Sequence, residues 1–232
     1  MTSAYSARRT PPPDVAPQQP PVPSAGAAAR PVHAPMASGL PLAFAGFGFS
    51  LTILSLANAG IVDPRTAPIF VPVAMGTGAL AMLLGGIWEF RGNNLFGATF
   101  CTMYACFLFT TALIIQFYAS VIADAAGATN FRHTFGAYLI VWALFTGMLS
   151  VGARYVNVPA FAALVLLVVV FVLLGIGNLV ESVAAADALT RAGGWAGLLD
   201  ALIAFYLCAA IVLNWVSGRV LLPIPVARVA HG

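Results

Sequence analysis

The sequence predicts an all-α integral membrane protein built as a bundle of six transmembrane helices. Two observations carry this. Of the 232 residues, 61% are hydrophobic and only 7% are charged, whereas a soluble domain carries about 25% charged residues to face water; the mean hydropathy of +0.95 says the same. The apolar residues also form continuous runs, such as the stretch from Phe161 to Val180. In lipid every backbone polar group must bond internally, which leaves helices or closed barrels. Barrel strands alternate apolar and polar residues, and these runs do not.

Residues 1–37 are different material. Pro11-Pro12-Pro13, Pro20-Pro21 and Ala27-Ala28-Ala29 mark a Pro/Ala-rich tail with few large apolar groups, expected to be disordered. Arg8 and Arg9 precede prolines rather than an apolar core, so the tail does not read as a signal peptide. The helical domain is expected over residues 38–218, followed by a short tail over 219–232.

The spans are expected at 40–62, 68–89, 96–120, 134–153, 158–180 and 194–217. Asp63-Pro64 stops the first, Phe90-Arg91-Gly92 the second and Arg154 the fourth; the sixth ends before Arg219. About 20 residues at 1.5 Å rise cross a hydrocarbon core of roughly 30 Å, so each is long enough. The basic residues are all arginine. Arg8, Arg9, Arg30, Arg91, Arg154, Arg219 and Arg228 fall on the face that holds both termini, and Arg65, Arg132 and Arg191 on the other. That bias predicts cytoplasmic termini. Glycines recur within the spans, where small residues let membrane helices approach closely. A weak echo, Gly97 and Tyr104 in helix 3 against Gly197 and Tyr206 in helix 6, suggests a three-helix repeat.

Several function classes drop out. Scattered arginines and a net charge of +3 give no nucleic-acid footprint. Cys101, Cys106 and Cys208 lie in apolar runs and make neither a disulfide framework nor a metal spacing. His33, His133 and His231 are far apart in the chain. With no phosphate-binding loop, nucleophile elbow or zinc motif, neither an enzyme nor a metal or other cofactor is expected.

Three stretches then resemble the acetate uptake transporter family, which includes bacterial succinate-acetate permeases and yeast acetate/ammonia exporters. They are Gly46-Phe47-Gly48 leading to Leu54 through Gly60; Gly86-Ile87-Trp88-Glu89-Phe90-Arg91-Gly92-Asn93-Asn94-Leu95-Phe96-Gly97; and Ala192 through Gly197 with Ala204-Phe205-Tyr206 and Gly218 through Pro223. The sequence departs from the family where Ser38-Gly39-Leu40-Pro41-Leu42-Ala43-Phe44 stands for Asn-Pro-Ala-Pro-Leu-Gly-Leu. It departs again where Met82 takes the place of a glutamine. The resemblance implies a six-helix protomer with its own pore, assembled as a homohexamer in a bacterial inner membrane. It also implies a constriction of Phe47, Tyr104 and Leu167, and passage of acetate and related monocarboxylates by a channel or a proton-coupled transporter.

Small carboxylic acids titrate near glutamate, at about pH 4–5, so the anion dominates at neutral pH and its pore needs hydrogen-bond donors beside an apolar neck. Asn58, Ser50, Thr99 and Thr102 are candidate donors, although serine and threonine hydroxyls also bond back to their own helix. Asp200 stands in an apolar run. A mid-membrane acid usually faces a cavity or a partner, so Asp200 is a candidate for proton coupling, with a paired or wet interfacial acid as the alternative. Glu89 reads as an interfacial partner of Arg91 or a cap with Asn93 or Asn94. Two further readings stay open: a pore for neutral polar solutes such as urea, amides or ammonia, and a non-conducting membrane subunit.

Overall fold

A computed structural model describes residues 36–226; the proposed disorder of the N-terminal tail falls almost wholly outside them. Among the described residues six helices are long and apolar enough to cross a membrane: α1 Leu40–Asn58, α2 Pro64–Arg91, α3 Leu95–Ala126, α4 Ala128–Ala153, α5 Val158–Leu179 and α6 Val183–Ser217. They pack in sequence around a ring, α1 against α2 and α6, α2 against α3, α4 against α5, and α5 against α6. Both ends of the described chain lie on one face, here the terminal face.

Helix ends depart from the expected spans for local reasons. α1 stops at Asn58 because Gly60 takes a left-handed φ of 75° that glycine adopts without steric cost. α3 and α4 are longer than expected and are joined at Gly127, φ 92°. The largest difference is α6, expected from residue 194 and observed from Val183. The Ser182 side chain accepts from the Ala185 N–H and Asp187 pairs with Arg191 one turn on. Cap and ion pair start the helix beyond the apolar run, where hydropathy carries no signal.

α2 and α3 contain π-helical turns at Val73–Ala79 and Ile114–Tyr118. Such turns interrupt the regular helical ladder and often occur beside functional sites. The first packs on α1 and α3.

Small residues set the closest approaches. A Cβ on Gly78 would fall 2.2 Å from Ser50 Oγ; one on Gly194 would fall 2.3 Å from the Ala59 backbone nitrogen; one on Gly136 would meet the Gly175 carbonyl at 2.8 Å. These place α1 tightly between α2 and α6, and α4 against α5. The Gly97 and Gly197 echo is not carried into equivalent contacts, since Tyr104 bonds Thr146 and Tyr206 bonds the Pro223 carbonyl.

Glu89 takes the expected Asn94 contact rather than the ion pair with Arg91. It is buried and accepts from Ser38 Oγ and the Gly39 N–H, each at 2.7 Å, and from the Asn94 amide. Arg91 instead lies over the Trp88 ring. Within the short C-terminal tail, residues 219–226 are tied to the bundle. Asn214 Oδ1 accepts from the Leu221 and Leu222 N–H groups, and the Pro225 carbonyl takes the Val158 N–H at 2.8 Å, capping an orphan donor at the start of α5.

Candidate pore and constriction

One stripe of α1, Phe44, Phe47, Leu51 and Asn58, and one of α5, Leu164, Leu167, Phe171 and Asn178, face each other across the bundle. Their three-to-four-residue spacing keeps each set on one helix face. Between them run three cavities in succession. A vestibule of about 360 Å³ opens on the face away from the termini and is lined by Asn58, Arg132, Asn178, Asp187, Thr190 and Arg191, among others. An inner cavity of about 240 Å³ shares Asn58, Asn178 and Thr190 with it. A chamber of about 30 Å³ lies beyond, toward the terminal face, and shares Phe47 and Leu167 with the inner cavity.

The shared residues locate the two narrow points. Phe47 and Leu167 belong to both inner spaces, so they form the neck; they are 5% and 2% exposed. Tyr104 lies behind this neck. Its ring is 6.0 Å from that of Phe47, edge-on, and its hydroxyl is 2.6 Å from Thr146 Oγ1. It lines neither cavity and braces Phe47 through a cluster that includes Phe100, Phe107 and Trp142.

The other expected donors separate. Asn58 lies at the gateway between vestibule and inner cavity. Ser50 does not face the pathway: its hydroxyl bonds the Gly46 carbonyl at 3.0 Å and approaches that of Val73, against Gly78 of α2. Thr102 gives its hydroxyl to the Ala98 carbonyl at 2.8 Å and turns its methyl toward Gly86. Thr99 is half-buried and lines none of the three cavities. Both Ser50 and Thr102 therefore serve helix contacts.

Asn178 and Thr190 complete the gateway and were not among the expected residues. Asn178 donates to the Leu174 carbonyl and Thr190 to the Ala186 carbonyl, which leaves one Asn178 amide hydrogen and the Thr190 lone pairs for a solute. Asn178 stands three turns beyond Leu167 on the same stripe, a signal the sequence carried. Thr190 lay in a stretch read as a loop, so it had no face. Arg132 bridges the Gly177 and Val180 carbonyls at 3.2 and 3.1 Å, neutralising the carbonyl end of α5 while it lines the vestibule.

Asp200 is fully buried on the chamber wall with Phe44, Phe47, Phe96, Phe100 and Leu167. Neither carboxyl oxygen has a hydrogen-bond partner. The interfacial alternative does not fit this position. Among the described residues no group of three or more His, Cys, Asp or Glu side chains is placed to hold a metal.

The sequence model of the GPR1/FUN34/yaaH family matches residues 22–226. The chain belongs to this family. The yeast ammonia transport outward protein 2 (Saccharomyces cerevisiae) is 37% identical over 185 residues, 78% of this chain and 63% of that protein. The succinate-acetate/proton symporter SatP of Escherichia coli is 34% identical over 194 residues, 82% of this chain and 95% of its own length. Acetate permease A of Emericella nidulans is 28% identical, with 81% of this chain and 65% of the permease matched. The chain thus spans just under two thirds of the fungal relatives and nearly all of the bacterial one. A solved structure of the bacterial acetate channel SatP superposes with a TM-score of 0.70 at 30% identity, covering 81% of this chain and 98% of the channel. The six-helix fold and the resemblance read from the sequence both stand.

Proposed function

We propose that this chain passes acetate and related small monocarboxylates across a membrane, as a channel or a proton-coupled transporter. The observation that carries the reading is the succession of vestibule, inner cavity and chamber through each protomer, closed at the Phe47 and Leu167 neck. Arg191 in the vestibule is offset by Asp187, which leaves Arg132 as the vestibule cation that raises the local anion concentration by steering. Asn58 and Asn178 offer amide donors to a carboxylate that sheds water. Among the described residues no arginine lines the inner cavity or the chamber, so the carboxylate is held weakly enough to leave. Relatives named for acetate and a solved acetate channel support the same assignment.

Tyr104 belongs to this constriction as the brace of Phe47. The arginine bias supports cytoplasmic termini, with the vestibule facing outward, and the family resemblance supports a homohexamer in a bacterial inner membrane. The relative named for ammonia supports a second reading, a pore for neutral polar solutes such as ammonia, amides or urea.

Purified protein in liposomes decides between the two, with labelled acetate, urea and methylamine measured at two pH values and protein-free vesicles subtracted. Protein-dependent acetate flux that saturates and exceeds urea flux supports the monocarboxylate reading. Urea or methylamine flux without acetate flux supports the second and overturns the first.

A further inference from the structure

Among the described residues Asp200 has no hydrogen-bond partner. Its carboxyl group is fully buried with both oxygens unbonded. The chamber brings α1, α3, α5 and α6 to it, and the residues they contribute are phenylalanine, leucine and alanine. None of those residues is charged or titratable. Beside the chamber, α3 carries Tyr104, whose hydroxyl is engaged by Thr146 of α4. A carboxylate stripped of water and left without a donor or cation is strongly disfavoured. Asp200 must therefore hold a proton of its own or receive a guest.

The pathway supplies the guest. The chamber adjoins the inner cavity across the neck, so a carboxylate that passes Phe47 and Leu167 arrives beside Asp200. Two ionised carboxylates in this apolar space would repel, whereas an acid and a carboxylate share a charge-assisted hydrogen bond. We propose that Asp200 is the proton carrier of the pathway, holding a proton in the empty chamber and handing it to the carboxylate of the solute that crosses the neck. The proposal rests on the monocarboxylate reading and deepens it.

The step balances as one proton per carboxylate. The Asp200 O–H bond breaks and its electron pair stays on Asp200, while a new O–H bond forms on the solute carboxylate. While the new acid still donates its O–H to Asp200, a hydronium from the vestibule side returns a proton to Asp200, and the solute leaves the chamber as the neutral acid. In reverse the same steps release the anion and the proton together. A dicarboxylate would bring a second charge that the chamber has no group to neutralise, so the site suits monocarboxylates.

Infrared difference spectroscopy on purified protein reads the group directly. At neutral pH, acetate should bleach a protonated-carboxyl band in the wild type, and Asp200→Asn should lack that band. In proteoliposomes with an internal pH dye, wild-type acetate uptake should acidify the lumen in proportion to acetate moved. Residual uptake by Asp200→Asn should bring no matching acidification, and Asp200→Glu should keep the coupling. If Asp200→Asn moves nothing, Asp200→Glu and the infrared band decide. Full proton coupling in Asp200→Asn, loss of coupling in Asp200→Glu, or a band that acetate leaves unchanged overturns the proposal. A band bleached by methylammonium and not by acetate makes the site a cation cage and overturns it too. Wild-type vesicles that carry no acetate overturn the monocarboxylate reading itself, whereas acetate flux with no acetate-sensitive band overturns only the role of Asp200.

Discussion

Leu167 has 2% of its surface exposed, yet it touches two cavities, and that combination defines a neck residue. Leu167→Ala removes three carbons from the narrowest wall, and a pore selects by width and by lining polarity. The variant should raise the ratio of lactate to acetate flux in proteoliposomes; an unchanged ratio would place the constriction elsewhere. Thr102 is the contrasting residue. Its hydroxyl is spent on the Ala98 carbonyl, so Thr102→Val should leave the acetate concentration dependence unchanged and alter stability by about 1 kcal/mol at most. The sequence alone could not separate these cases. Phe47 and Leu167 came from the family resemblance, because a phenylalanine and a leucine in a span look like packing. Ser50, Thr99, Thr102 and Asn58 are polar and were equal candidates, and only helix rotation, which hydropathy does not record, put Asn58 on the pathway and the three hydroxyls off it. Asp200 was legible because an acid in an apolar run is costly wherever it points.

The helices themselves were legible as apolar runs, and their ends were not. α6 begins eleven residues before its hydrophobic stretch, started by the Ser182 cap and the Asp187–Arg191 pair in a segment whose composition resembles a loop. Glu89 shows the same limit. Its contact with Asn94 was among the expected ones, but the sequence did not show that it joins three elements: it takes the Ser38 hydroxyl and Gly39 N–H at the start of α1 and the Asn94 amide at the start of α3, from its own place near the end of α2. Asn94 in turn caps α3 by accepting the Gly97 N–H. Bonds to an ionised acceptor contribute about 1.5–3 kcal/mol, and an orphaned buried donor adds a desolvation cost. Glu89→Ala should therefore lower the thermal unfolding midpoint in detergent clearly, with Glu89→Gln intermediate because its amide keeps one accepting oxygen. Equal midpoints for wild type and Glu89→Ala would mean the knot adds nothing to stability.

At the scale of the molecule, six crossings return the described chain to its starting face, which the arginine bias proposes as the cytoplasmic one. Val220→Cys lies on the terminal face and Ala125→Cys at the far end of α3, both exposed. In a cysteine-free background an impermeant thiol reagent added outside cells should label Ala125→Cys alone; labelling of Val220→Cys alone would invert the orientation. Assembly is the remaining question. The outward side of α2 and α3 carries an apolar groove of about 260 Å³ lined by Met75, Ala79, Leu80, Leu83, Cys106 and Phe109. In lipid no hydrophobic drive favours helix association, so a contact between copies has to come from close packing, and we propose that this groove receives side chains of a neighbouring copy. Cys106 is exposed at its wall and does not line the neck or the chamber. Cys106→Trp fills the groove from its exposed wall. If the proposed homohexamer forms through this groove, the substitution should shift purified protein to smaller species in native mass spectrometry, with the helical circular dichroism unchanged. A hexamer that persists in Cys106→Trp would mean that lipid occupies the groove and that the protomers meet on another face.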